Sequence, residues 1–217
     1  MDLSSIKQPV LDGDAQATVA AATEAVAAGV SPSAILTEAL IPAMEEVGNL
    51  FACGEYFVPE LLMAARAMSA AVEVLRPSLV TSGYEAAGTV VIGTVQGDLH
   101  DIGKRLVAMM LEGSGFDVVD LGTDVAPEQF IAAARDSGAA IIALSALLST
   151  TLPAMQSTVE ALRAAALGDT VRVIVGGAPV TDEFARRIGA DGYAPDAPGA
   201  AALARRLVRV GGEAAVN

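Results

Sequence analysis

Residues 89–122 read TVVIGTVQGDLHDIGKRLVAMMLEGSGFDVVDLG, and their pattern indicates the fold class. An apolar run rich in β-branched residues, 89–95, predicts a strand, and the pattern from 104 to 113 after the polar loop is typical of a helix. A second β-branched run occupies 116–122. Two such strands joined through a helix predict a βαβ unit, whose strands are parallel.

The same alternation continues along the chain. Strands apolar on both faces predict a flavodoxin-like (Rossmann-type) α/β domain, a five-stranded parallel sheet covered by helices with strand order 2-1-3-4-5. Ligands of such sheets bind where the strand order reverses, so the loops QGDLHDIG (96–103) and LLSTTL (147–152) are expected to face one. The remaining predicted strands are 139–146, 171–178 and 191–194, and the remaining predicted helices are 127–136, 152–166, 181–189 and a last one ending near residue 210.

The first part of the chain has a helical pattern instead. An alanine-rich helix is predicted from residue 12 to a stop at Gly29, and the next begins with Ser31 as N-cap and Pro32 in the first turn. The break ACGEYF separates it from a further helix that starts at residue 58. These helices suit a small bundle, and the turn-rich segment 76–88 is read as a linker. Two domains are expected, 1–84 and 85–217.

Composition limits the function classes. The 217 residues carry a net charge of −13, which disfavours binding to nucleic acid and to anionic membranes. The single cysteine, Cys53, allows neither an internal disulfide nor a cysteine metal cluster. Neither a secretory signal nor a membrane-spanning apolar run is recognisable, so a cytoplasmic protein is expected.

Three nucleotide- or phosphate-related patterns fail at the 96–103 loop. The glycines Gly93, Gly97 and Gly103 do not have the spacing of a dinucleotide fingerprint. A P-loop fails because five residues separate Gly97 from the Gly103-Lys104 pair and Arg105 follows. A phosphorylated receiver domain would need an aspartate at the end of the third strand, where the chain reads ALSALLS.

His100 is the only histidine of the chain. One imidazole suffices for a metal site only where a macrocycle supplies the other donors and the protein adds an axial nitrogen. Asp98, two residues earlier, can accept the proton of the other ring nitrogen and thereby select the tautomer. The alternative is a loop histidine bonded to a carboxylate without any ligand, and the residue types alone leave both possibilities open.

The second half of the chain resembles the cobalamin-binding domain shared by methionine synthase, corrinoid methyl-carrier proteins and B12-dependent mutases. The matching segments are GDLHDIGKRLV with its D-x-H-x-x-G signature, VVDLG, ALSALLSTTLPAM and VIVGGAPV, in the family's order over residues 89–197. MEEVGNLFACGEYFVPELLMAARAM (44–68) resembles that family's helical cap.

The resemblance implies cobalamin bound with its own base displaced from cobalt and His100 as the lower axial ligand. It implies a hydrogen-bonded relay through Asp98 and Thr151, the latter at a position where the family has a serine. Gly103 would let the loop turn away and open the channel for the nucleotide tail. The other residues expected to contact the cofactor are Gly97, Leu99, Asp101, Ser145, Leu147, Ser149, Gly176, Gly177 and Ala197.

Three residues of the first half, Phe51, Val58 and Leu61, match cap residues that shield the methyl group on cobalt. Periodicity alone reads them as bundle core, and that alternative stays open. Gly176 and Gly177 likewise have a structural alternative, a tight turn after a strand.

The function implied is that of a methyl carrier with cobalamin as methylcobalamin, not expected to turn over alone. Its implied partners are a substrate:corrinoid methyltransferase, a second methyltransferase acting on tetrahydrofolate or a thiol, and a reductive activase. Two alternatives are a cobalamin-dependent sensory module and a small subunit of an adenosylcobalamin mutase. Neither is favoured, because no DNA-binding segment is recognisable and mutase subunits resemble only the sheet domain.

Overall fold

The computed structural model describes residues 3–165, 167 and 170–214 and consists of two compact units. The helices of the first half, up to Ala86, form one unit together with Glu112–Gly115. The remaining described residues form the second. No helix in the part of the chain described here is long and apolar enough to cross a membrane.

The first unit is a helical bundle, as predicted. The predicted cap at Ser31 is present, since the Ala34 amide donates to Ser31 Oγ at 3.2 Å. Gly29 follows the second helix with φ of 87°, as expected for a helix stop. The helical segments are α1 (Ser4–Leu11), α2 (Ala15–Ala27), α3 (Pro32–Ala34), a π-helical segment (Ile35–Leu40), α4 (Ile41–Ala52) and α5 (Val58–Thr81).

The π-helical segment interrupts a helix that the sequence predicts as regular. The Ile41 amide donates to the Leu36 carbonyl, five residues back. Pro42 follows and has no N–H for the regular ladder, which explains the wider turn before it.

One helix and one helix end in this unit differ from the prediction. Helix α1 was not predicted, although Ile6 and Val10 lie four residues apart and are both fully buried. The predicted linker 76–88 begins too early, because α5 continues through Pro77 to Thr81. Leu75 and Leu79 are buried on either side of this proline, and their packing outweighs the hydrogen bond that it removes.

The second unit is the predicted parallel sheet. Its strand order is β2-β1-β3-β4-β5, and every pairing is parallel, which confirms the predicted 2-1-3-4-5 order. The strands are β1 (Thr89–Thr94), β2 (Asp117–Asp120), β3 (Ile141–Ser145), β4 (Arg172–Gly176) and β5 (Gly192–Ala194). The helices are α6 (Ile102–Glu112), α7 (Pro127–Ser137), α8 (Leu152–Ala164), α9 (Asp182–Arg187) and α10 (Ala197–Ala214). Residue 166, the predicted end of α8, lies outside the described residues.

The central strand β1 shows why both faces of the sheet are apolar. Val90, Val91 and Ile92 are successive residues that point to alternate faces, yet all are at most 1% exposed. Gly93 continues the strand, and a Cβ there would lie 2.7 Å from Cζ of the buried Phe130. This glycine therefore makes room for the Phe130 side chain, and packing accounts for it without any ligand.

Candidate functional site

The site lies at the carboxyl ends of two neighbouring strands, β1 and β3. Parallel pairing brings Thr94 opposite Ser145, so the loops that follow the two strands leave the same edge of the sheet. The first loop carries Asp98 and His100. The second contains a short 3-10 turn, Ser149–Thr151.

The carboxylate of Asp98 joins the two loops. Its Oδ1 accepts hydrogen bonds from the His100 backbone amide at 3.1 Å and from His100 Nδ1 at 2.7 Å. Its Oδ2 accepts from the amides of Leu147 and Leu148, at 2.8 and 3.2 Å, and from Thr151 Oγ1 at 2.9 Å. Asp98 has no solvent exposure.

The charge state of Asp98 follows from these contacts. Burial raises the pKa of the carboxyl, but the hydrogen bonds from His100, Leu147 and Thr151 outweigh it and hold the pKa well below its ordinary value. Asp98 is therefore ionised near neutral pH and can only accept hydrogen bonds.

His100 is oriented by this carboxylate. Because Asp98 can only accept, Nδ1 must carry the proton, and a neutral ring then has its lone pair on Nε2. Half of the His100 side chain is exposed, and Nε2 has no hydrogen-bond partner among the described residues. Thr94 Oγ1, in the buried strand, donates to the His100 carbonyl at 2.9 Å and holds the backbone of the loop. The arrangement presents one nitrogen lone pair to solvent.

Thr151 has one hydroxyl proton and two acceptors. Its Oγ1 lies 2.9 Å from Asp98 Oδ2 and 2.8 Å from the Leu148 carbonyl oxygen. The hydroxyl can therefore donate to either oxygen, and in its contact with the ionised Asp98 it acts as the donor. The three side chains of His100, Asp98 and Thr151 form a continuous hydrogen-bonded path from solvent into the protein.

Large apolar side chains that are unusually exposed accompany this histidine. Leu99 and Ile102 are 73% and 78% exposed, and Leu147 and Leu148 are 45% and 40% exposed. The first two flank His100 in sequence, and the other two bind Asp98 through their amides. Exposed apolar side chains beside a nitrogen with a free lone pair are typical of a surface that binds a partly apolar ligand.

The glycines of the site divide into two groups. Gly97 makes the turn of the His100 loop, with φ of 84°. Gly103, predicted to let this loop turn away, is instead the second residue of α6 and its φ is not positive. A Cβ at Gly103 would meet no atom within 4 Å. The packing of the chain therefore does not explain why this position is a glycine.

The Gly176-Gly177 pair has a structural cause. Gly177 has φ of 127°, and a Cβ there would overlap the Ala146 carbonyl oxygen. A Cβ at Gly176 would lie 3.0 Å from the Ala194 carbonyl oxygen. The close approach that these glycines permit is therefore that of neighbouring backbone.

The other predicted site residues occupy varied positions. Asp101 forms an ion pair with Arg105, 2.6 Å from carboxylate to guanidinium. Ser145 ends β3 half-buried, Ser149 is exposed, and Ala197 is buried at the start of α10. In the helical unit, Phe51 is half-buried, Val58 is 42% exposed and Leu61 is 1% exposed. Leu61 thus occupies the position of a bundle-core residue.

Sequence reasoning missed the residues that support the His100 loop from the β2 side. Lys104, 1% exposed in its side chain, forms an ion pair with Asp120 at the end of β2. Asp124 accepts a hydrogen bond from the Gly97 amide at 2.7 Å. The LHDIGKR segment and the DLGTDV segment have no local pattern that pairs them, and only the neighbouring positions of β1 and β2 bring them together.

Comparison with known families gives two matches that together span most of the chain. Residues 88–202 match a family described as a B12 binding domain, and residues 3–76 match a second family with the same description.

Individual relatives cover the chain almost completely. Trimethylamine corrinoid protein 2 of Methanosarcina mazei is 40% identical, covering 96% of this chain and 97% of the relative. Dimethylamine corrinoid protein 1 of Methanosarcina acetivorans is 44% identical, covering 88% and 90%.

Solved structures agree with the whole-chain match. A cobalamin-binding protein from Desulfitobacterium hafniense superposes with a TM-score of 0.81 at 34% identity, covering 95% of this chain and 98% of that one. A chain of the methanol:cobalamin methyltransferase complex of Methanosarcina barkeri superposes with a TM-score of 0.82 at 30% identity, covering 95% and 79%.

Proposed function

This chain belongs to the family of corrinoid proteins, B12-binding proteins of methyl transfer, and from that premise we propose that it carries a methyl group between two partner methyltransferases with His100 as the axial ligand of its cofactor. Cobalamin, when bound, supplies a cobalt ion that accepts and releases the methyl group. The chain's own residues bind the cofactor, orient one nitrogen toward the metal and hold a proton close to it.

The observation that carries the proposal is the orientation of His100 by Asp98. The 2.7 Å hydrogen bond at Nδ1 leaves Nε2 of the neutral ring unprotonated, in a side chain that is half exposed, and an unprotonated imidazole nitrogen is the form that binds a metal. By accepting the hydrogen bond from Nδ1, the ionised carboxylate makes Nε2 a stronger metal ligand than it would be in a histidine without such a partner. No other histidine competes, because the chain has one.

The same contacts are compatible with reversible ligation. Asp98 would keep the proton on Nδ1 whether or not Nε2 is bound to a metal, because its ionised carboxylate accepts the 2.7 Å hydrogen bond in both cases. Thr151 Oγ1 would donate to Asp98 Oδ2 in either state, because the ionised carboxylate can only accept hydrogen bonds. We assign to Thr151 the role that a serine has in the related family.

The remaining cofactor contacts are proposed from position. Leu99 and Leu147 would pack against the corrin ring, and the open space beside Gly103 would admit the displaced nucleotide tail. The other residues assigned to the binding surface are Gly97, Asp101, Ser145, Ser149, Gly176, Gly177 and Ala197. Phe51 and Val58 remain proposed cap residues, whereas the burial of Leu61 supports a packing role.

The partners are proposed from the relatives. Those relatives are named for trimethylamine and dimethylamine, and one structural match lies in a methanol:cobalamin methyltransferase complex. We therefore propose a methyltransferase for a methylated amine or methanol as the donor-side partner. A second methyltransferase would pass the methyl group to tetrahydrofolate or a thiol, and a reductive activase would restore oxidised cofactor.

Electron paramagnetic resonance on selectively labelled protein tests the ligation directly. The protein is produced with ¹⁵N-histidine, freed of any histidine-containing tag, and loaded with cob(II)alamin under anaerobic conditions. Because His100 is the only histidine, labelling is expected to change the nitrogen splitting from three lines to two. A splitting that labelling leaves unchanged would mean that the cofactor's own base, and not His100, binds cobalt. His100→Ala is the control that should lose the protein-derived splitting.

The alternative functions are separated by the cofactor and the partner. A mutase subunit would require adenosylcobalamin, and a sensory module would change its oligomeric state on photolysis of the upper ligand. The methyl-carrier proposal requires that methylcobalamin bound to the purified chain be demethylated by an added methyltransferase. Retention of the methyl group with every candidate acceptor enzyme would favour the alternatives.

A further inference from the structure

Asp124 combines an unusual backbone conformation with an exposed side chain. Among the described residues it is the one non-glycine with a positive φ, at 57°. Glycine adopts this conformation without strain, whereas other residues do so rarely, aspartate and asparagine among the more tolerant. Asp124 is exposed, so core packing does not explain its presence at this position.

The conformation lets one residue hold two successive residues of the His100 loop. The Asp124 carboxylate accepts a hydrogen bond from the Gly97 amide at 2.7 Å, and the Asp124 amide donates to the Asp98 carbonyl at 3.0 Å. Asp124 thus binds the short Gly97–Asp98 segment at both ends, through the N–H of Gly97 and the carbonyl of Asp98. A glycine at position 124 could provide the second contact but not the first.

The segment around Asp124 is itself anchored to β1. The Val125 amide donates to the Thr94 carbonyl, and the Thr94 amide donates to the Gly122 carbonyl, both at 3.0 Å. Thr94 in turn donates its hydroxyl proton to the His100 carbonyl. Asp124 therefore lies between two residues that are hydrogen-bonded to β1, which makes it a suitable fixed point for the loop.

We infer that Asp124 is a positioning residue that holds Asp98 where its carboxylate selects the Nδ1-protonated tautomer of His100. The inference rests on the proposed function for its biological meaning, because the tautomer matters through ligation by Nε2. A shift of the Gly97–Asp98 backbone by a fraction of an ångström would lengthen the 2.7 Å bond to Nδ1 and release the ring.

The first test uses the apoprotein, so that it does not depend on the cofactor. The ¹⁵N shifts of the single histidine distinguish a protonated from an unprotonated ring nitrogen, at a pH where the imidazole is neutral. Wild type should show Nδ1 protonated. Asp124→Ala should lower the ratio of this tautomer to the other by on the order of tenfold, as expected for the loss of a charge-assisted hydrogen bond.

Matched variants separate positioning from folding. Asp124→Asn retains an acceptor oxygen and tolerance of positive φ, so it should restore the wild-type tautomer. Asp124→Gly removes the side chain and the strain together, so it should fold well and yet behave like Asp124→Ala. Glu128→Ala removes an exposed negative charge four residues away and should match wild type.

Two outcomes overturn the inference. One is a wild-type tautomer in Asp124→Ala and Asp124→Gly, and the other is a failure of Asp124→Asn to restore it. A cob(II)alamin signal without histidine nitrogen splitting would refute the proposed ligation instead, and it would leave the apoprotein result on Asp124 unaffected. Cobalamin affinity of the same variants provides a second readout, expected to fall about tenfold in Asp124→Ala.

Discussion

Thr151 Oγ1 lies 2.9 Å from Asp98 Oδ2, although 53 residues separate the two in the chain. Both side chains are buried, and their contact joins the loop after β1 to the loop after β3. Because an ionised Asp98 accepts five hydrogen bonds, each donor that is removed leaves a buried negative charge less well compensated.

Replacing Thr151 by valine tests this contact at nearly constant shape. Thr151→Val should lower the free energy of unfolding of the apoprotein by about 1–3 kcal/mol, since Asp98 loses a donor where water cannot replace it. Thr151→Ser should lie much closer to wild type. Urea denaturation at neutral pH provides the measurement, and a valine variant as stable as wild type would contradict the contact.

Asp98→Asn should alter how stability depends on pH. The lowered pKa of folded Asp98 means that the unfolded chain binds more protons, so the free energy of unfolding rises with pH in this region. The stabilisation is complete above the unfolded pKa of about 3.9 and is lost as the pH falls toward the folded value.

The asparagine variant lacks this contribution, and its side-chain NH2 group would lie opposite groups that also donate hydrogen bonds. Near neutral pH it should be less stable than wild type by about 2–5 kcal/mol. The difference should shrink on acidification below about pH 5. Denaturation series at several pH values measure it, and a difference that stays constant down to the acid limit would contradict the ionised state.

Gly103 and Gly97 should respond oppositely to alanine. Gly103 lies in helix α6, and a methyl group added there meets no atom of the chain. Gly103→Ala should therefore raise the stability of the apoprotein by up to about 1 kcal/mol. Its methyl group would enter the space assigned to the cofactor, and cobalamin affinity should fall on the order of tenfold. Gly97→Ala should cost about 1–2 kcal/mol because of its positive φ.

Thermal unfolding and cobalamin titration of both glycine variants distinguish these effects. If Gly103→Ala bound cobalamin as tightly as wild type, the open space beside it would have no part in cofactor binding.

Removing either partner of the Lys104–Asp120 ion pair should change stability by different amounts, because Lys104 is buried and Asp120 is exposed to solvent. Asp120→Ala leaves the ammonium group of Lys104, 1% exposed, without its charge partner and should cost about 2–4 kcal/mol. Lys104→Met removes the buried charge, and Asp120 keeps solvent contact and the Gly122 amide at 2.9 Å. That variant should stay within about 1 kcal/mol of wild type. Equal losses in urea denaturation would show that the pair acts only through packing.

Much of the fold was predictable because it depends on local periodicity. The β-branched runs of β1 and β3 and the capping residue Ser31 act within a few residues of themselves, and the structure agrees with each. Helix α1 and the end of α5 were not predicted. In both, the deciding factor is burial of Ile6 or Leu79 in the folded unit, which outweighs local signals such as Pro77.

The candidate site divides in the same way. The sequence predicted that His100 follows a buried strand in a loop with Asp98, because the strand pattern is local and the carboxylate that bonds Nδ1 is only two residues away. The support that this loop receives from Thr151, Asp124 and the Lys104–Asp120 pair depends on the folded chain and has no local signal in the sequence. These contacts join segments 16 to 53 residues apart, and they exist because parallel pairing of β1 with both β2 and β3 brings the ends of three strands to one edge of the sheet.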